Sequence, residues 1–413
     1  MRLKSLDVFR GIAIASMILV NNPGSWKQVY PPLEHAEWHG CTPTDLVFPF
    51  FLFIVGCAMS FSLSKYTQNS TKIGIETSKI TQTQEKLEAE KKPLPSSFFL
   101  LPSSDFHRTS PNIYWRIARR AAILFILGLL LNTSSIALDV LLNSAPVENF
   151  GKIRIMGVLQ RIGLAYFISA IAILNLSPRN QKLLAVAVLL GYWGALTVFG
   201  VGGYTAGELT QEGNLGGYVD RLILGSQHLY KGGPFDPEGL LSTLPAVVTV
   251  LTGYFTGEWL RVEPIKTRTS INLAICGLSC VVIGHLWGFF FPINKQLWTS
   301  SYVVFTAGWA LLLLAACYET IEVRGWKWGR PFEIMGLNAI FLFVASGIVA
   351  RILLKTHIGT GENAPTTYTW IYENWFVPWA GPLNGSLAFA VTAVLFWWLI
   401  LYGMYRRGWA IKI

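Results

Sequence analysis

Runs of about twenty apolar residues recur along this chain, and no other feature limits its fold as strongly. A helix needs about that length to cross roughly 30 Å of hydrocarbon. Of the 413 residues, 52% are hydrophobic and 14% are charged, and the mean hydropathy is +0.44. A soluble domain of ordinary composition has less apolar surface to bury. The sequence therefore predicts an all-α polytopic membrane protein whose surroundings are the lipid bilayer.

We predict about ten transmembrane helices in a single transmembrane domain. A further stretch, 368–383, is aromatic but interrupted by Pro378, Gly381 and Pro382, which favours a re-entrant or interfacial element. Residues 65–112 combine charges with prolines and serines and predict a cytoplasmic polar insertion. The predicted spans are residues 6–21, 44–63, 115–131, 153–174, 183–201, 240–257, 271–291, 302–318, 332–354 and 386–405.

The basic residues near the span ends indicate the orientation, because lysine and arginine in short loops are retained in the cytoplasm. With ten spans, both termini are cytoplasmic, and the loops 34–45, 202–238 and the one around Asn294 face outward. The basic residues placed on the cytoplasmic side are Arg2, Lys4, Arg116, Arg119, Arg120, Arg179, Lys182, Arg261, Lys266, Arg268, Arg324, Lys327, Arg330, Arg406, Arg407 and Lys412.

Charge and cysteine content exclude other classes of function. The net charge of +10 is spread over these loops, so we expect no nucleic-acid partner. The five cysteines have no metal-ligand spacing and lie mostly inside spans, so we expect small apolar side chains and no metal site. The first span begins almost at Met1 without a cleavage site after it, which predicts an uncleaved anchor.

The loop 34–45 is the strongest candidate for chemistry. It places His35 and Asp45, with two glutamates, a second histidine and Trp38, between two apolar spans. Titratable side chains at a membrane surface are costly to place and indicate function. The alternative is an interfacial polar loop with no chemical role.

Eight motifs distributed over the chain point to a known family. They are 2–11 (RLKSLDVFRG), 20–22 (VNN), 35–40 (HAEWHG), 45–51 (DLVFPFF), 157–161 (GVLQR), 235–241 (FDPEGLL), 294–302 (NKQLWTSSY) and 336–339 (GLNA). Together they resemble the heparan-alpha-glucosaminide N-acetyltransferase family of transmembrane acetyltransferases and its bacterial, DUF5009-like relatives.

This resemblance implies an enzyme that moves an acetyl group from cytosolic acetyl-CoA to the amino group of a glucosamine-type amino sugar across the membrane. The family's active-site histidine falls on His35, and its nearby asparagine falls on Asn21 or Asn22. The animal enzyme has an additional luminal domain and first span, so we expect a bacterial inner-membrane version. A homodimer is implied by the same resemblance.

The residues suit this chemistry independently. Transfer to an amine needs a base and donors to the developing oxyanion. His35, with a typical histidine pKa near 6.5, can be the base, and Asp45 can orient it. Asn21 or Asn22 can donate to the thioester oxygen, although a helix C-cap is the competing role. Direct attack on acetyl-CoA and an acetyl-histidine intermediate both stay open, with direct transfer favoured.

The remaining site candidates follow from the topology. Outward residues that could bind the acceptor are Trp38, Asp236, Glu238, Asn294 and Lys295, with turn and capping roles as alternatives. Cytoplasmic cations that could bind the phosphates of CoA are Arg10, Arg116, Arg119 and Arg120, with positive-inside anchoring as the alternative. Arg161 lies inside a span, where either Asp45 or the cofactor arm could be its partner.

Two other functions compete with this interpretation. Ten spans with intramembrane charge also suit an amino-sugar transporter, although no internal repeat is evident. An O-acyltransferase for envelope polysaccharide would keep the catalytic apparatus and change the acceptor.

Overall fold

The computed structural model describes residues 3–66, 111–143, 145–359, 361 and 364–411. Within these ranges the chain forms α-helices and no β-strand. The helices are α1 (Lys4–Asn21), α2 (Val47–Ser62), α3 (Pro111–Asn143), α4 (Val158–Asn175), α5 (Pro178–Val198), α6 (Leu215–Leu224), α7 (Thr243–Val262), α8 (Thr267–Trp287), α9 (Ser300–Cys317), α10 (Arg330–Leu337), α11 (Ala339–Lys355), α12 (Thr367–Ile371) and α13 (Val377–Arg406).

The predicted all-α polytopic membrane fold is confirmed. Seven helical segments in the described ranges are long and apolar enough to cross a membrane. An eighth span results if α10 and α11, which meet at 77°, count as one. The other two predicted spans correspond to α1 and α7, which bury most of their residues inside the protein. Because a helix surrounded by protein need not be apolar all round, the count of ten stays a prediction for these two.

The start of α4 corrects one predicted boundary. The predicted span 153–174 begins too early, since residues 153–157 are extended and α4 starts at Val158. The amide of Ile155 donates to the carbonyl of His228 at 3.1 Å, so this segment pairs with a loop and not with its own helix. The correction matters because it places Arg154 outside the helix.

Close packing of α2 against α7 forms the centre of the bundle. A Cβ at Gly56 would overlap the carbonyl oxygen of Val250, and one at Gly253 would overlap that of Phe53. Helices in membranes approach this closely where small residues such as glycine leave room for backbone contact. Because lipid provides no hydrophobic driving force between helices, van der Waals contacts between the backbones hold them together. This pair fixes α2, and the 3-10 turn that leads into α2 carries Asp45.

Residues 367–406 form a helical hairpin. The chain is helical up to Gly381, whose φ of 75° breaks the helix, and then reverses. A Cβ at Gly385 would lie 3.2 Å from the backbone of Phe376, and the hydroxyl of Tyr372 donates to the carbonyl of Pro382. The first arm is about 21 Å long at 1.5 Å per residue, shorter than a bilayer core. This geometry agrees with an interfacial or re-entrant element, and its depth in the membrane stays a prediction.

Several sequence predictions fall outside the described residues. They concern most of the 65–112 insertion, together with Arg2 and Lys412. The single-domain organisation stays a prediction.

Candidate active site

A cavity of about 790 Å³ runs through the bundle between α1, α2, α3, α4 and the junction of α10 with α11. One face of α1 follows it, because Arg10, Ile14, Met17 and Asn21 recur every three or four residues. From Arg10 to Asn21 this face is about 16 Å long at 1.5 Å per residue. Between its two polar ends the cavity is lined mainly by apolar side chains, among them Val47, Phe48, Phe51, Ile54, Leu124, Leu159, Ile162 and Phe343.

His35 and Asp45 meet at the end of the cavity that the sequence places outside. The ring Nδ1 of His35 lies 2.7 Å from Asp45 Oδ1, and both residues line the cavity. Because Nδ1 faces the carboxylate, Nε2 is the ring nitrogen left for a substrate. The contact that sequence spacing could not establish is therefore present, and it matches the arrangement of a base with an orienting carboxylate.

Local structure holds Asp45 rigidly. It lies in a 3-10 turn, Pro43–Leu46, that leads into α2, where the helix dipole favours a negative charge. Its Oδ2 accepts from the backbone amides of Ala36 and Thr42, at 3.0 and 3.1 Å, and from the Thr42 hydroxyl. The hydroxyl of Tyr302 donates to its backbone carbonyl at 2.6 Å. Only 1% of the side chain is exposed, so the carboxylate is fixed before substrate binds.

The two asparagines of the VNN motif differ in position. Asn21 lines the cavity, whereas the amide of Asn22 donates to the carbonyl of Ile18 at 2.8 Å and caps its own helix. Of the two asparagines, Asn21 is therefore the one on the cavity wall. Asn22 has the competing C-cap role.

His39 and Cys41 occupy the same loop but not the cavity wall. The Asn294 amide lies 3.4 Å from His39 Nδ1, and partial burial lowers the pKa of His39. Burial raises the pKa of the Cys41 thiol to about 12, and the neighbouring Asp45 carboxylate adds to the rise. Cys41 is thus a neutral thiol. Asn294 is itself buried and caps a turn by accepting from the amide of Leu297 at 2.8 Å.

The loop before α7 carries an acidic pair next to the cavity, Asp236 and Glu238. Glu238 lines the cavity, while Asp236 is buried behind it. Arg154 binds both carboxylates: its Nε lies 2.8 Å from Asp236 Oδ2, and its terminal nitrogen contacts Glu238. The guanidinium also lies over the ring of Tyr230, 4.7 Å from the ring centroid. Burial lowers the pKa of Arg154, but the two carboxylates outweigh it and the net pKa is raised.

Sequence reasoning missed Arg154 and Tyr230, both of which line the cavity. Arg154 had been included in a predicted span. The signal that could have identified it is its side of the membrane, since an arginine at an outward span end departs from the positive-inside pattern.

Trp38 forms part of the outer wall. Its indole donates to the carbonyl of Leu209 at 2.8 Å, and its ring meets that of Phe235 at 5.1 Å. These contacts fasten loop 34–45 to the segments on either side of α6, since Leu209 precedes α6 and Phe235 follows it. Gln296 and Lys295 complete this end of the cavity from the α8–α9 loop.

The candidate phosphate-binding arginines separate into three positions. Arg10 and Arg120 line the cavity end opposite His35. Arg116 and Arg119 point away on the exposed side of α3 and are absent from the cavity lining. Arg161 is fully buried over the ring of Trp298, with its guanidinium on Ser242 and the carbonyl of Gly239. The structure places it with these groups and not with Asp45.

Fold and site together define the class: a polytopic all-α membrane protein whose bundle encloses a cavity with a histidine–carboxylate pair at one end and arginines at the other. A family model described as a domain of unknown function (DUF5009) matches residues 2–83. The chain is 28% identical over 98% of its length to heparan-alpha-glucosaminide N-acetyltransferase of Homo sapiens, covering 59% of that protein. It is 27% identical over 84% of its length to the Mus musculus protein of the same name, covering 54%.

The resemblance to this family is therefore confirmed, and it extends over nearly the whole chain. The chain spans somewhat more than half the length of these curated relatives. The activity that their names state is therefore that of the relatives, and for this chain it is a proposal.

Proposed function

We propose that the protein is a transmembrane acetyltransferase that takes acetyl groups from cytosolic acetyl-CoA and transfers them to the amino group of a glucosamine-type amino sugar on the opposite side. In a bacterial inner membrane that side is the periplasm. The observation that carries this proposal is the single cavity joining Arg10 and Arg120 at one end to His35 and Asp45 at the other.

The donor fits the shape and charge of the cavity. Phosphates of CoA need cations, and the Nε of Arg120 is buried without a hydrogen-bond partner in the described part of the chain. Arg10 lines the same end. The apolar middle section suits a narrow, largely uncharged arm that carries a thioester. Such an arm can reach from the cytoplasmic end to His35, so the sugar and the nucleotide need not share one face of the membrane.

The outer end supplies the groups that acyl transfer requires. Asp45 holds Nδ1 of His35, so that Nε2 can accept a proton from the acceptor amine as its nitrogen attacks the thioester carbon. Asn21 can donate to the carbonyl oxygen as negative charge develops there. The carbon–sulfur bond then breaks, and the thiolate of CoA leaves with a proton returned to it. We favour this direct transfer over an acetyl-histidine intermediate.

Acceptor recognition falls to the side chains across the cavity. Glu238 presents a carboxylate oxygen to an ammonium or hydroxyl group, and Trp38 and Tyr230 supply aromatic surface of the kind on which sugar rings pack. Lys295 contacts the catalytic pair. Asp236 and Asn294 are buried and support the walls.

The decisive experiment uses purified protein in proteoliposomes with labelled acetyl-CoA and a panel of amino sugars. We expect His35→Ala to lower turnover by about 10²- to 10⁴-fold, the usual contribution of a general base. His39→Ala is the matched control, since His39 does not line the cavity, and we expect it to stay within about threefold of the unmodified protein. Both variants should show unchanged elution and melting in detergent.

The acceptor panel separates the competing functions. Acetylation of glucosamine but not N-acetylglucosamine supports amine transfer, whereas transfer to both would indicate an O-acyltransferase. Uptake of unmodified amino sugar without acetylation would indicate a transporter. Near-normal turnover by His35→Ala would overturn the central assignment. A burst of CoA release without any sugar would favour the acetyl-histidine route.

A further inference from the structure

Lys295 reaches the catalytic pair from a third part of the chain. Its Nζ lies 3.2 Å from Asp45 Oδ1 and 3.0 Å from Nδ1 of His35. One carboxylate oxygen is therefore shared by the imidazole and the ammonium group. A histidine–carboxylate pair with a lysine on the same oxygen differs electrostatically from a pair alone.

The loop that carries Lys295 is built to hold it there. Asn294 accepts from the amide of Leu297, and the amide of Trp298 donates to the carbonyl of Lys295 at 3.1 Å, which closes a tight turn. The amide of Gly40 donates to the carbonyl of Ile293 at 2.7 Å, so this turn is fastened to the loop of His35. Backbone hydrogen bonds before and after Lys295 therefore hold it next to Asp45.

The other charged groups near His35 do not substitute for Lys295. Glu34 and Glu37 lie on the same loop and are exposed to solvent, where charge is screened. Partial burial lowers the pKa of His39 and so favours its neutral form. Cys41 is a neutral thiol, and the hydroxyl of Tyr302 is uncharged and donates to the backbone carbonyl of Asp45. Across the cavity, Glu238 is paired with Arg154.

A carboxylate in contact with an imidazole favours the protonated ring, which can no longer accept a proton. Asp45 alone would therefore orient His35 and disable it as a base over part of the working pH range. A cation on the same carboxylate cancels this effect, while the hydrogen bond that orients the ring is kept.

We propose that Lys295 is a positioning residue which neutralises Asp45, so that Asp45 aligns the ring of His35 without holding a proton on it. This proposal rests on the proposed function, because it concerns how the same base is kept ready. It also assigns Lys295 to the catalytic pair and not to the acceptor sugar.

The test compares Lys295→Met, Lys295→Arg and Lys27→Met in the full-length protein. Lys27 is an exposed lysine on the α1–α2 loop, which also carries His35. Its variant removes one positive charge, as Lys295→Met does, but away from the cavity. Activity is followed from pH 5 to 9. Separately, diethyl pyrocarbonate, which reacts with unprotonated imidazole, is used to label His35, and labelling is quantified by peptide mass spectrometry.

We expect Lys295→Met to move the acid limb of the activity profile, and the midpoint of His35 labelling, upward by about one pH unit. Activity at the alkaline plateau should stay within a few-fold of the unmodified protein, and KM for the amino sugar should change little. Lys295→Arg and Lys27→Met should leave both midpoints in place.

A double variant keeps the test decisive if Lys295→Met folds poorly. Lys295→Met with Asp45→Asn removes both charges, and its labelling midpoint should return towards that of the unmodified protein. Unshifted labelling in folded Lys295→Met would overturn the proposal, as would a rise in acceptor KM without a shift of the limb. Labelling does not require turnover, so a shifted midpoint in a protein that acetylates nothing would refute the proposed function and leave the role of Lys295 standing.

Discussion

The two ends of the cavity differ in how their charged side chains are paired. At the outer end each charge that lines the cavity has a partner of opposite sign: Asp45 has Lys295, and Glu238 has Arg154. At the inner end two arginines line the wall, and the acidic residue in contact is Asp7, 3.5 Å from Arg10. Arg120 instead lies over the ring of Tyr166, 5.0 Å from its centroid.

This difference suits the roles proposed for the two ends, which are acyl transfer at the outer end and phosphate binding at the inner end. Paired charges fix side chains in place and leave little net charge, which suits a base and its orienting groups. Arg10 is paired with Asp7, but the Nε of Arg120 has no hydrogen-bond partner among the described residues, so the Arg120 guanidinium retains its attraction for a phosphate. The outer end should therefore be sensitive to the loss of any partner, and the inner end should lose affinity with little loss of stability.

The largest expected effect comes from breaking the outer charge cluster. Arg154→Met leaves two carboxylates, one of them fully buried, without their cation. Removing one partner of such a cluster costs about 3 to 4 kcal/mol of unfolding free energy. Detergent-solubilised protein should melt at clearly lower temperature. Arg179→Met, at an exposed arginine, is the matched control. Equal melting of the two variants would contradict the outer end's dependence on its pairs.

Asp220 makes the outer end pH-dependent in stability. Burial raises its pKa to about 6, and the neighbouring Asp236 adds to the rise. Because the folded form binds the Asp220 proton more tightly than the unfolded form, the contribution of Asp220 to stability is fully present below about pH 4 and is lost as pH rises through about 6. The expected loss is about 2 to 3 kcal/mol.

Asp220→Asn isolates this contribution, since its amide oxygen can still accept from the amide of Leu240 as Asp220 Oδ1 does at 2.8 Å. The unfolding free energy of the unmodified protein should fall relative to that of this variant as pH rises from 4 to 7.5. A difference that does not vary with pH would show that Asp220 titrates normally.

The smallest effect is expected at the inner end. Arg120→Met should weaken binding of acetyl-CoA by about ten- to thirtyfold, the scale of one charge-assisted hydrogen bond, with little change in melting. Arg119→Met changes the neighbouring arginine, which faces away from the cavity. Its effect should be smaller in equilibrium binding and in KM for acetyl-CoA. Equal losses in both variants would place the nucleotide on the outer surface of α3.

Much of the fold could be predicted because a hydrocarbon environment limits the choices. Spans such as 271–291 and 302–318 correspond to α8 and α9, since about twenty apolar residues have few alternatives to a helix. The start of α4 was predicted wrongly. Residues 153–157 are apolar enough to resemble a span but pair with the loop at His228, and hydropathy carries no record of that contact.

The sequence was enough to predict which loop carries the site, but not how its side chains are arranged. The concentration of titratable residues in 34–45 singled out His35 and Asp45, and family resemblance selected His35 over His39. Spacing could not separate Asn21 from Asn22, which differ in side-chain direction at a helix end. It also could not separate Arg120 from Arg119, because a rotation of about 100° per residue decides which one meets the cavity.

The sequence by itself determined that this chain is a helical membrane protein, where its titratable loop lies and which family it resembles, because these properties depend on local composition and order. Only the tertiary structure decided that Lys295, 250 residues after Asp45, shares its carboxylate, and that Arg154 joins Asp236 and Glu238 across the cavity from His35. These contacts depend on how helices pack, and packing is set by shape complementarity between distant segments, which no single stretch of sequence contains.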